Sequence, residues 1–175
     1  MITFIRRIIE VLVGPSAVIS TTSSVWRDLI AGLNARSAGE RESGAFLLGT
    51  IRDNGQRTIQ DFVLYDDLDS TALESGGIYL QSSAYPRLWA ICRERKMSVV
   101  ADVHTHPGAF VQQSSIDREH PMISQRGHIA IVLPHYGRTP ENPRVAGVYR
   151  YLGSHQWETL QTGRGKAKGI HVERR

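Results

Sequence analysis

A single cysteine, Cys92, stands in the 175-residue chain, so no disulfide can close within it. Cys92 falls in a helical pattern where a buried, inert thiol is the plain reading, in keeping with a reducing cytoplasm. No apolar run is long enough to cross a bilayer, which excludes a membrane-spanning chain. The opening "MITFIRRIIEVLVG" is broken by Arg6, Arg7 and Glu10 and is followed by no clear small-residue cleavage site, so it does not read as an export signal. Neither a repeat nor a low-complexity linker divides the sequence. The basic C-terminal run "GRGKAKGIHVERR" holds much of the +4 net charge but no aromatic residue, which argues against a nucleic-acid surface and for a solvated tail. The expected organisation is therefore one cytoplasmic domain over residues 1–160 and a flexible basic tail over 161–175.

Apolar residues make up 41% of the chain and charged ones 22%, ordinary for a globular protein able to bury a core. Hydroxyl residues in "TTSSVWRDLIAGLNARSAG" can cap a helix with Trp26, Leu29, Ile30 and Leu33 on one face, ending at Gly39. "SGAFLLGTIRDNGQRTIQDFVLY" reads as two strands joined by a two-residue turn at Asn54 and Gly55. "YDDLDSTALESGG" reads as a loop. A second helix over "SSAYPRLWAICRERK" accepts Pro86 in its first turn and carries Tyr85, Leu88, Trp89 and Cys92 on one face. "MSVVADV", "HIAIVLP", "RVAGVYRYLG" and "QWETL" read as strands. Helix, hairpin, helix and further strands predict an α/β fold with a curved mixed β-sheet flanked by helices.

The first of those later strands delivers His104 at its end, followed by Thr105, His106 and Pro107. Residues two apart on an extended chain point the same way, about 6.6 Å apart along it, so both imidazoles share one side. Asp117 follows after ten intervening residues, three positions past Ser114, where a helix N-cap is expected. Asp117 can be read as the acidic member of a capping arrangement or as a carboxylate folded back to the histidines. Two histidines and a carboxylate form a common catalytic zinc set with a fourth position open. His-x-His-Pro with an aspartate at that offset arises by chance in about one in several thousand chains of this length. A metal-bound water also needs a base. Glu42 stands directly before an apolar, glycine-flanked strand and is the favoured candidate, with Glu40 its competitor.

These residues resemble the JAMM motif of the JAB/MPN metallopeptidases: a glutamate ahead of a strand (Glu42 in "ESGAFLLG"), His104-Thr105-His106-Pro107, and Ser114-Ser115-Ile116-Asp117. The resemblance implies a single MPN-like domain in which His104, His106 and Asp117 bind one zinc ion, Glu42 activates water and Ser114 helps hold the oxyanion. Pro107 would only shape the loop. In element order the likeness runs over residues 20 to 160, and its specificity resides in the motif positions.

By the same resemblance the chain is a prokaryotic-type isopeptidase or peptidase that cuts after the C-terminal tail of a ubiquitin-like protein. Its implied setting is a pathway with E1- or E2-like enzymes, such as those of antiphage defence operons. Three alternatives remain open: a peptidase trimming an amino acid from a sulfur-carrier protein or short peptide, a non-catalytic MPN-like scaffold, and, least favoured, a nucleic-acid-associated protein led by the basic tail. The acidic group Asp66, Asp67 and Asp69 reads as a solvated loop, with a basic modifier surface as the other reading. His120 and His128 read as packing or solvent-contact residues, with a second metal or a substrate contact as the rarer reading.

Overall fold

A computed structural model of the chain describes residues 17–75, 77–138, 142–163 and 169–173. The N-terminal segment "MITFIRRIIEVLVG" and tail residues 164–168, 174 and 175 lie outside the described residues.

The elements run β1 (Ile19–Thr22), α1 (Ser23–Ser37), β2 (Gly44–Ile51), β3 (Arg57–Leu64), α2 (Tyr65–Leu68), α3 (Ala84–Arg95), β4 (Ser98–Thr105), α4 (Ser115–Glu119), β5 (Ile129–Leu133), β6 (Gly147–Gly153), β7 (Gln156–Thr162) and β8 (Ile170–Glu173). Together the strands form one eight-stranded sheet in the order β7-β6-β5-β4-β2-β3-β1-β8. It is mixed: β4 and β5 run parallel, as do β1 with β3 and β1 with β8, while the other neighbours are antiparallel. The sheet curls, and a Cβ built on Gly169, just ahead of β8, would stand 2.7 Å from the side chain of Gln161 on β7.

Alternation along the central strands divides the core between two faces. Ala45 and Leu47 of β2 join Ala101 and Val103 of β4 beneath α1, where Trp26, Leu29 and Leu33 are fully or almost fully buried. On the other face Phe46 and Leu48 pack with Tyr65, Leu88 and Cys92 under α3. Helix α1 starts as its hydroxyl residues predict, with the Thr22 side chain accepting from the Val25 N–H. Its stop falls one residue early, because Ala38 takes the left-handed conformation (φ 49°) ahead of Gly39 (φ 75°).

Four expectations need correction. The hairpin loop closes at the Arg52 N–H to Gln56 carbonyl bond, leaving three residues between, with positive φ only at Gly55. That is the three-residue loop with a left-handed glycine, favoured once the Asn54 side chain accepts from Gln56 N–H. The segment after β3 is not all loop: Tyr65–Leu68 is a helical turn, and Ala72 and Leu73 are buried beyond it. Trp89 is 40% exposed, because α3 buries only the narrower stripe of Ala84, Leu88 and Cys92. Finally, the basic tail read as flexible contains β8, which pairs with β1 from Ile19↔Ile170 to Thr22↔Glu173 and buries Ile170. Backbone pairing to an otherwise open edge orders this segment despite its charge.

Candidate metal centre

From Ala101 onward β4 alternates: Ala101 and Val103 pack under α1 and Thr105 reaches Ser37 at its end, whereas Asp102 and His104 point to the opposite face. Gly44 of β2 is the register partner of His104. Two residues before Gly44, Glu42 therefore returns to the same side of the sheet as the imidazoles. Glu42, His104, Ser114 and Asp117 line one cleft of about 700 Å³, walled further by Ile78, Tyr79, Leu80, Tyr85 and Met122. Glu40 is exposed.

His104 Nε2 and His106 Nε2 stand 3.1 Å apart. Asp117 Oδ2 lies 3.5 Å from the first and 3.4 Å from the second. Among the described residues this trio is the one group of three or more His, Cys, Asp or Glu side chains that could hold a metal ion. Zinc–nitrogen and zinc–oxygen bonds of about 2.0–2.1 Å at tetrahedral angles put neighbouring donor atoms about 3.3 Å apart. The three observed separations scatter around that edge length, so the donors fit a zinc-sized ion without rearrangement. His106 Nδ1 lies 3.0 Å from the Phe110 carbonyl, which can only accept, so Nδ1 carries a proton and Nε2 is the ring nitrogen turned to the centre, the one a metal ion would take in place of its proton.

Both readings of Asp117 hold at once. Ser114 is the N-cap of α4: its hydroxyl accepts from the Asp117 N–H at 3.1 Å, and its own N–H donates to Asp117 Oδ2 at 2.7 Å. The capping arrangement thus fixes the carboxylate that faces the histidines. It also uses a lone pair of the Ser114 oxygen and leaves the O–H proton free for the cleft.

Charge follows the geometry. Burial would raise the Asp117 carboxyl, but hydrogen bonds from His104 and His106 hold it far below the ordinary carboxylate range. Burial opposes the charged form of His106, yet Asp117, the Phe110 carbonyl and Glu42 together leave it raised. Burial lifts the Glu42 carboxyl above its ordinary value, with His104 and His106 pulling against that rise. A carboxylate shifted in this direction is a better proton acceptor near neutrality.

The acidic group at 66–69 and His128 have internal partners. Asp66 and Asp67 both pair with Arg36, at 2.7 and 2.8 Å. Asp69 accepts from Thr71 N–H and Oγ1–H and from Gln81 N–H, tying down the loop that walls the cleft. Buried His128 bonds to buried Asp102 at 2.5 Å. His120 lines the cleft. Sequence reasoning missed the Phe110 carbonyl, which carries no side-chain signal, and the part Tyr85 and Met122 take in the cleft wall. Tyr85 signals core and cleft alike, since one edge of its helical stripe packs on Phe46 while its hydroxyl donates to the Met122 carbonyl.

No family model matches the chain. Its fold is similar to that of protein DSY2949 from Desulfitobacterium hafniense, at 16% identity and TM-score 0.62 over 90% of this chain and 94% of that one. A Salinibacter ruber protein aligns at 19% identity and TM-score 0.57, over 84% of this chain and 92% of that one. AF2198 of Archaeoglobus fulgidus, a JAB1/MPN domain protein, aligns at 18% identity over 86% of this chain and 98% of that one, with a looser TM-score of 0.46. The first two likenesses define the class by fold alone: a single α/β domain with a curled mixed sheet flanked by helices. Among the described residues no helix is long and apolar enough to cross a membrane.

Proposed function

We propose that this chain is a zinc-dependent peptidase of the JAMM type that hydrolyses the amide bond after the C-terminal tail of a ubiquitin-like protein. The observation that carries the reading is the convergence of His104, His106 and Asp117 at tetrahedral spacing in the cleft that Glu42 also lines. Zinc held by the trio would polarise the scissile carbonyl and acidify the attacking water. Glu42 takes the proton from that water and delivers it to the leaving amine as the C–N bond breaks and the new C–O bond completes the carboxylate. Ser114 directs its free O–H at the developing oxyanion. His106 keeps its orientation through Phe110, and Asp117 through Ser114.

Ile78, Tyr79, Leu80 and Met122 in the cleft wall offer apolar contacts to the side chains of such a tail beside the polar centre. Either a lysine side-chain amine or an α-amine can leave, so deconjugation and precursor maturation are both within reach. The motif's form favours a prokaryotic conjugation pathway with E1- or E2-like partners. Its setting is the reducing cytoplasm, where the one cysteine stays a buried thiol.

The test is terminal proteomics on the cell's own proteins after incubation with zinc-loaded wild type or Glu42→Ala. New C-termini on a ubiquitin-like protein, seen only with wild type, are expected. Their absence at full zinc loading would refute the proposed reaction.

A further inference from the structure

Three buried hydroxyls lie behind the metal centre, on the α1 side of β4. Ser37, Ser43 and Thr105 are each fully buried. Ser43 Oγ donates to the Leu33 carbonyl at 2.8 Å, and Ser37 Oγ donates to Ser43 Oγ at 2.9 Å. With those two protons committed, the Thr105 hydroxyl supplies its own to the nearer of its two hydroxyl neighbours, Ser37 Oγ at 3.3 Å against Ser43 Oγ at 3.4 Å. Its oxygen in turn accepts from the Ser43 N–H at 3.0 Å. Every hydroxyl in the relay donates once and accepts once, so no buried polar group is stranded.

Where this relay sits gives it a function. Thr105 lies between His104 and His106, and Ser43 lies next to Glu42. Strand β2 begins only at Gly44, so the regular ladder does not reach the segment carrying Glu42. Beyond the ladder, residue 43 is tied to residue 105 by two reciprocal bonds: the Ser43 N–H to Thr105 Oγ1, and the Thr105 N–H to the Ser43 carbonyl at 2.9 Å. Ser37, at the end of α1, braces both.

We propose that Thr105 is a positioning residue for Glu42: its side chain, backed by Ser37 and Ser43, sets where the carboxylate stands relative to the histidines on either side of it. The inference rests on the reading that the trio holds a metal ion and Glu42 acts beside it. Thr105→Val keeps the shape but strands the Ser43 N–H and removes the proton given to Ser37. Thr105→Ser keeps the hydroxyl and loses only a methyl.

The experiment is carbon NMR of full-length protein labelled with ¹³C-glutamate and loaded with cobalt(II), the Glu42 carboxyl signal being assigned by its loss in Glu42→Gln. The cobalt-induced shift of that signal reports the distance and direction of the carboxylate from the metal, independently of turnover. Thr105→Val is expected to change this shift while zinc affinity stays within about threefold of wild type, and Thr105→Ser to retain the wild-type shift. A wild-type shift in Thr105→Val would overturn the proposal, as would a Thr105→Ser shift matching that of Thr105→Val, which would assign the effect to the methyl. If Thr105→Val does not fold, Ser37→Ala is read instead, and an unchanged shift there overturns the proposal too. Failure of wild type to bind cobalt or zinc would appear before any variant is compared; it defeats the metal reading itself and this inference with it.

Discussion

Gly44→Ala probes the spacing of the site through steric overlap alone. Its φ lies outside the left-handed region, so an alanine meets no backbone penalty there. The new methyl would sit 2.3 Å from Tyr65 Cε2 and 2.7 Å from the Val103 carbonyl oxygen, where contacts of about 3.5–4.0 Å are comfortable. Tyr65 has little room to withdraw, being fully buried with its ring edge-on to Phe46 at 4.9 Å between centroids. The Val103 carbonyl belongs to β4. One of the two must move, and overpacking of this kind costs about 1–3 kcal/mol. For a domain of this size each kcal/mol lowers the midpoint by about 2–4 °C, so metal-free Gly44→Ala should melt roughly 2–12 °C below wild type. Because Gly44 is registered against His104, the displacement also reaches the proposed metal site. Zinc affinity should fall by about tenfold or more, the equivalent of 1.4 kcal/mol. Calorimetry of the metal-free proteins and a zinc titration against a chromophoric chelator measure both effects. Gly108→Ala is the control, since it opens onto empty space and should change neither. A Gly44→Ala protein with wild-type melting and wild-type zinc affinity would refute the claim that this glycine sets the β2 to β4 approach at the site.

Other residues give equally direct expectations. Glu42→Gln should keep one zinc per chain and lower turnover by about 10²–10⁴, the usual worth of a positioned base; full activity would transfer the role to Glu40. Ser114→Ala should lower kcat by about 10²–10³ if its hydroxyl serves the oxyanion, a split from KM that steady-state kinetics resolves. It should also weaken α4, seen as faster amide exchange at Ile116 and Asp117, because the cap is lost. Asp69 has its pKa lowered by hydrogen bonds from Gln81 and Thr71. Since its folded value lies below the unfolded one of about 3.9, its stabilisation is complete above that pH and is lost as pH falls through the folded value. Denaturation at pH 7 and pH 3 should therefore show a smaller acid-side loss in Asp69→Asn than in wild type, and an identical loss would contradict the clasp assigned to Asp69.

The parts of the site legible in the sequence are those carried by short-range periodicity. His104 and His106 share a side because strands alternate, and Ser114 with Asp117 announces a cap because the spacing is local. The same local rule left Asp117 with two readings, and only the fold unites them by bringing α4 over the end of β4. What Gly44 approaches was hidden, since Tyr65 and Val103 reach it from other elements. So was the Phe110 carbonyl, because backbone acceptors look alike in every residue. The acidic group at 66–69 looked like a solvated loop, yet Arg36 on α1 and the amides of Thr71 and Gln81 hold it from positions far or unremarkable in the sequence. Strand β8 was concealed by its four-residue length and its basic flanks, and its partner β1 lies near the other end of the chain. The hydroxyl relay of Ser37, Ser43 and Thr105 joins three residues that are ordinary one by one and acquire meaning only when packed together.

The central claim is that His104, His106 and Asp117 hold a catalytic metal. Its most direct test is the metal content of wild type, Glu42→Gln and His106→Ala after zinc loading and exhaustive dialysis, read by plasma mass spectrometry. One zinc per chain in wild type and Glu42→Gln, with none retained by His106→Ala, is the expected result. Zinc held by His106→Ala at wild-type stoichiometry, or wild type emerging without zinc, would contradict the account.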